Sequence, residues 1–296
     1  MLLKTFKYDF LSVLKLWIIA AIVSVASGAV SGICFRIIPA LDAQNAVQYT
    51  LISSMLTILG YTSLLMIIAF AVLAIIIVTV RFYTSLFTDE GYLTFTLPVK
   101  RSVILNSKLL NLLSYTGMTL TAILISLIVF AAISPDNISI LEQNREPNLL
   151  AKVLDLIVSL NKGIFETDGT EYGIWFVVFE VLAVVIVLMY IFFTPMLIQT
   201  ALTIGATVVK RAKVFVGIAI YYGCNTVLEL ILYGAFIGGL SSVFSIIQIE
   251  TALTTPTEEM LYILCLILTV IAFMSCCFGL MYTIMRRCLK NKLNLA

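Results

Sequence analysis

Six long apolar runs, separated by short segments whose charge alternates in sign, constrain this chain more than any other feature. The runs fall at 14–38, 50–80, 109–133, 172–209, 214–249 and 260–285 and carry almost no charge. A helix crosses ~30 Å of hydrocarbon with ~20 apolar residues. Lys and Arg collect on the cytoplasmic side of such spans. Here fourteen of the eighteen basic residues fall in, or at the edge of, the two termini, the second gap and the fourth gap: Lys4, Lys7, Lys15, Arg81, Lys100, Arg101, Lys108, Lys210, Arg211, Lys213, Arg286, Arg287, Lys290 and Lys292. Eleven of the sixteen acids fall in the other gaps, seven of them between residues 134 and 171. The expectation is an all-α, multi-pass membrane protein with six spans and both ends cytoplasmic.

Composition agrees. With 61% hydrophobic and 11% charged residues and a mean hydropathy of +1.12, a soluble globular fold is excluded. The length suits one membrane domain over residues 1–296. The net charge of +2 carries no information about nucleic acid, because the charges segregate by membrane face rather than forming a basic patch. Six cysteines lie in or beside the spans and read as small packing residues rather than disulfides. There is no histidine, so His-based triads, zinc sites with His ligands and His proton relays are excluded. Ala26-Ser27-Gly28 imitates a signal-peptide cleavage site, but the apolar run continues past it to Ile38 and is read as a retained first span.

Residues 1–15 are amphipathic, with Leu3, Phe6, Phe10, Val13 and Leu14 at helical spacing, and read as an interfacial helix. Ser24, Gly28 and Gly32 form a small-residue ridge that admits a close neighbour. Run two exceeds the membrane thickness and must tilt or project. Runs four and five are long enough for two crossings each. Doubling either alone would expose a basic cluster outside, so each is read as one crossing. Pro195 and Gly205 then supply bends in run four, and Gly234, Gly238 and Gly239 in run five. Leu149 to Leu160 has the spacing of a short amphipathic helix in the outer loop, residues 134–171.

The loop at 81–107 is amphipathic and aromatic but too polar to cross. Thr88, Asp89 and Glu90 resemble a helix start. Tyr92, Leu93, Phe95 and Leu97 present apolar side chains, and Pro98 stops the helix. Such an element needs either lipid or a protein partner. Its central acids disfavour an anionic leaflet. Inside the spans sit two carboxylates, Glu180 and Glu229, the latter beside Asn225 and Thr226. A charge at that depth costs ~3 kcal/mol or more. It reads either as the lining of a polar pathway or as a hydrogen-bonded carboxyl that locks helices together. No G-x-x-x-x-G-K-[ST] loop cradles a phosphate, and no nucleophile has a base beside it, so the chain is not expected to be an enzyme.

The stretch Arg81-Phe-Tyr-Thr-Ser-Leu-Phe-Thr-Asp-Glu-Gly-Tyr-Leu-Thr-Phe-Thr-Leu-Pro-Val-Lys100 resembles a loop of small bacterial permease subunits of type-2 ATP-binding-cassette (ABC) exporters. The resemblance implies an N-terminal interfacial helix, six spans, a larger loop after span 3 and a broken outer end of span 5. It also implies that the loop between spans 2 and 3 is a coupling helix docking on a separate ATPase. Phe87, Asp89, Glu90, Gly91, Tyr92, Leu93 and Phe95 would be the docking residues. ATP would be bound by that partner subunit and by no site here. A second permease half, identical or homologous, would complete the pathway, to which Glu180, Asn225 and Glu229 would belong. Peptides, antibiotics or lipid-like amphiphiles would be the cargo. An ion-coupled secondary transporter and a non-transporting sensor or assembly partner are the alternative readings.

Overall fold

In hydrocarbon every backbone N–H and C=O must be satisfied within its own segment, so apolar runs of this length become helices. The computed structural model describes residues 2–42, 47–88, 90–91, 101–134, 170–209, 212–250 and 256–291, and among them there is no strand. Six helices follow one another: α1 Leu2–Asp42, α2 Val47–Phe87, α3 Arg101–Ile133, α4 Thr170–Val208, α5 Lys213–Glu250 and α6 Pro256–Asn291. All six are long and apolar enough to cross a membrane. Runs four and five are one helix each, as parity requires. Pro256 opens α6 at the position where a missing N–H costs nothing. The amide of Ser134 closes α3 on the carbonyl of Phe130 at 2.9 Å.

The amphipathic start of the chain runs into the first span within one helix, since α1 has 41 residues without interruption. The broken outer end of span 5 is not found: α5 stays helical through Gly234, Gly238 and Gly239 to Glu250. A helical glycine costs only ~1 kcal/mol, whereas breaking a helix in hydrocarbon strands several backbone groups. The short helix expected at Leu149–Leu160 lies outside the described residues.

The chain divides into two compact units. The first comprises Phe6–Val78 and Leu113–Asp168, and holds most of α1 and α2 with the later part of α3. Here the ridge of Ser24, Gly28 and Gly32 meets α3. A Cβ on Gly28 would lie 2.5 Å from the carbonyl oxygen of Ser126, so only glycine permits that approach. Ser24 and Ser126 share a hydroxyl hydrogen bond of 3.0 Å, and Ser31 donates to the carbonyl of Gly60 at 3.1 Å. Further along, the Trp17 indole N–H donates to Thr119 Oγ1 at 3.0 Å. Tyr115 donates its hydroxyl to the carbonyl of Phe10 and stacks on that ring.

The second unit comprises Met1–Thr5, Thr79–Leu112 and Gly169–Ala296. In it α4 packs on both α5 and α6. Phe193, Leu197, Met274, Cys277 and Met281 form one buried cluster. Phe82, Leu86, Ile104, Leu105, Met285 and Leu289 form another. The turn from α4 to α5 is tight: a Cβ on Gly205 would lie 2.6 Å from the Gly217 nitrogen. Ala212 in that turn takes φ 59°, a left-handed value that costs a non-glycine residue ~1–2 kcal/mol.

Candidate functional site: the α2–α3 connection and the intramembrane carboxyls

The connection begins where α2 runs out. Phe87 ends the helix with its ring against Phe82 at 6.3 Å and Tyr83 at 5.7 Å, and it packs on the cluster around Leu86. The chain then folds back on itself. The Gly91 amide donates to the carbonyl of Thr88 at 2.8 Å. Glu90 returns to pair with Arg81 at 2.9 Å. A Cβ on Gly91 would sit 2.5 Å from the carbonyl oxygen of Leu86, so the reversal requires glycine. Glu90 is 57% exposed, and a pair this open contributes under ~1 kcal/mol. It therefore fixes a direction more than it adds stability.

The sequence-predicted docking residues thus separate by place. Phe87 is partly buried in the chain's own core, Glu90 is engaged by Arg81, and Gly91 makes the turn. Asp89, Tyr92, Leu93 and Phe95 lie outside the described residues. The described part is the root that precedes the aromatic segment in the chain.

The intramembrane carboxyls stand apart from this root. On α5 the Asn225 side-chain N–H donates to Glu229 Oε1 at 2.8 Å, one helical turn away. Tyr221, Leu228 and Leu232 of α5 pack on the cluster around Met274. Asn225 and Glu229 sit at the border of that stripe and are half-buried. Glu180 on α4 is exposed, and among the described residues it has no hydrogen bond or ion pair with Asn225 or Glu229. Only 6% of the apolar window of α5 is buried, against 33% for α1. The helix that carries the Asn225–Glu229 pair is therefore the one least covered by its own chain.

Sequence reasoning missed two features. Arg101 opens α3 and donates to the carbonyls of Leu289 and Lys290, each at 3.0 Å, capping the end of α6. One turn further, Tyr282 donates to Asn106 Oδ1 at 3.0 Å. The second is a set of buried polar side chains: Ser107, Lys108 and Asn111 on α3, and Gln199, Thr200 and Thr203 on α4. Lys108, read as a loop cation, is only 7% exposed. The spacing of Ser107, Lys108 and Asn111 on one helix face was the available signal.

No protein-family model, no curated protein and no solved structure matches this chain.

Proposed function

We propose that the chain is the membrane-spanning half of an ATP-driven ABC exporter of the small six-span bacterial type. It would reside in the bacterial cytoplasmic membrane with both termini inside. The amphipathic start of α1 then lies in the inner headgroup zone. The α2–α3 connection couples to a separate ATPase chain, and a second permease half faces this one.

One observation carries the reading. The Asn225–Glu229 pair lies on the helix least covered by its own chain, and Glu180 on α4 is exposed. Apolar side chains there need only lipid, but carboxyls at that depth need water or another protein surface. A second membrane half supplies both when it encloses a polar pathway. Charge asymmetry supports the orientation. The absence from the sequence of any phosphate-binding loop calls for an external energy source. The folded-back root at Glu90 and Gly91 gives the aromatic segment a fixed point from which to engage one. The cargo would be a peptide, antibiotic or lipid-like amphiphile.

The test joins partner capture to transport. Leu93→Ala with Phe95→Ala should abolish co-purification with the ATPase encoded nearest to this chain and leave membrane insertion intact, since such anchors contribute ~2 kcal/mol or more each. Glu229→Gln should leave folding and assembly intact and alter export. Capture unaffected by the paired change would refute the coupling assignment. Export that stops when the proton gradient is collapsed at constant ATP would favour ion coupling through Glu180 and Glu229 instead.

A further inference from the structure

The ends of α3 and α6 meet in a way that the export reading does not use. Arg286 and Lys290 are one turn apart on α6 and share a face. Arg101, at the first position of α3, is held against the end of α6 by its bonds to the carbonyls of Leu289 and Lys290. Between them opens a pocket of about 320 Å³, lined by Arg101, Ser102, Leu105, Arg286, Leu289 and Lys290. Among the described lining residues three are cationic and none is acidic. Leu105 and Leu289 are buried and form an apolar floor. Among the described residues neither Arg286 nor Lys290 forms an ion pair.

Three like charges around one cavity repel each other and gain from a shared anion. The Arg286 guanidinium offers forked N–H donors that match phosphate oxygens, and Lys290 adds a point charge. The volume lies in the range that small ligand groups occupy. Position selects among anions. Both helices continue from this pocket directly into apolar spans, Arg101–Ile133 and Ile263–Lys290, so acyl chains could lie along them while the head enters. Basic pockets between spanning helices are the usual setting for anionic headgroups.

We propose that this pocket binds the phosphodiester headgroup of an anionic membrane lipid, pinning the start of α3 to the end of α6. The bound phosphate offsets the charge of Arg101, Arg286 and Lys290. It thereby strengthens the junction from which the α2–α3 connection departs. The proposal rests on α3 and α6 being membrane spans and stands whether or not the chain is an exporter.

The experiment uses the full chain in neutral detergent at 0.15 M salt. Thermal unfolding and native mass spectrometry are read with phosphatidylglycerol, with phosphatidylcholine at the same mole fraction, and with millimolar inorganic phosphate. Phosphatidylglycerol should raise the melting temperature and stay bound, with phosphatidylcholine giving neither effect. Arg286→Gln with Lys290→Gln should cut lipid retention about tenfold, while Arg286→Lys with Lys290→Arg should preserve it. These positions leave the Arg101 cap in place, so the fold is expected to survive. Arg287→Gln, an exposed neighbour outside the pocket, should behave as wild type. Equal loss in Arg287→Gln, or equal binding of both lipids, would reduce the effect to general surface charge and overturn the proposal. A full shift with inorganic phosphate alone would assign the pocket to a soluble anion and overturn the lipid assignment. Unchanged lipid retention with lost ATPase capture in the Gln pair would give the pocket to an acidic protein surface and likewise overturn it.

Discussion

The two units of this chain solve the same packing problem by different means. In the first, α1, α2 and α3 approach through small residues: Gly28 against Ser126, Gly32 against Ile133 and Gly60 against the ring of Phe35. Serine and tryptophan donors then reach across the short gaps. In the second, bulky side chains fill the space between α4, α5 and α6, and backbone meets backbone closely at Gly205 and Gly217. Water drives neither arrangement, because lipid tails are as apolar as Leu. The first unit gains from close backbone approach, which α1 repeats along its length. The second gains from shape-matched large side chains, and it leaves α5 mostly uncovered. A unit of the first kind is intolerant of added volume. One of the second kind is intolerant of lost volume and keeps a face available.

Substitutions can break this contrast, beginning with the strongest. Phe193→Ala removes a buried ring that meets Phe278 edge-on at 5.6 Å. It should cost ~3–5 kcal/mol in reversible unfolding from mixed micelles. A small loss would mean that the second unit does not depend on side-chain volume. Next, Gly28→Ala forces a methyl onto the Ser126 carbonyl and should cost ~1–3 kcal/mol. Gly234→Ala meets nothing within 4 Å inside a helix and should instead raise stability by up to ~1 kcal/mol. Equal effects at the two glycines would show that close approach is not what holds the first unit.

Smaller effects sharpen the same picture. Ala212→Gly relieves the left-handed backbone of the α4–α5 turn at some entropic cost, for a net gain of about 1 kcal/mol measured as a higher midpoint of unfolding. A loss would mean that the turn gains more from chain stiffness than it loses to its φ angle. Ser24→Ala removes the hydroxyl bond to Ser126 and should cost ~0.6 kcal/mol, the usual worth of such a bond between spans. A double-mutant cycle with Ser126→Ala measures it. No coupling would leave glycine contact alone as the seal.

Much of the architecture was readable from residue order. Six helices follow from the apolar runs, because hydrocarbon leaves the backbone no other partners. Basic clusters at Lys210–Lys213 and Arg286–Lys292 limited runs four and five to one helix each. The ridge of Ser24, Gly28 and Gly32 announced a close neighbour without naming it. Glu180, Asn225 and Glu229 were visible as chemically costly residues, since a carboxyl in an apolar run needs only composition to be noticed. Long-range partners were not legible. That Ser126 faces Gly28, that Arg101 caps α6, and that Phe87 turns into its own core each depend on which helices become neighbours. The fold-back of Glu90 onto Arg81 was hidden for a related reason: a charge pair nine residues apart fits no helical spacing and exists only because Gly91 permits the reversal. The continuity of α5 through its glycines was obscured by local propensity. Local propensity argues for a break there, but the helix keeps its own hydrogen bonds where water cannot replace them. The sequence thus determined which segments are helices and which residues are out of place in hydrocarbon, through hydropathy and charge. The tertiary structure decided which surfaces meet, through close contacts between residues far apart along the chain.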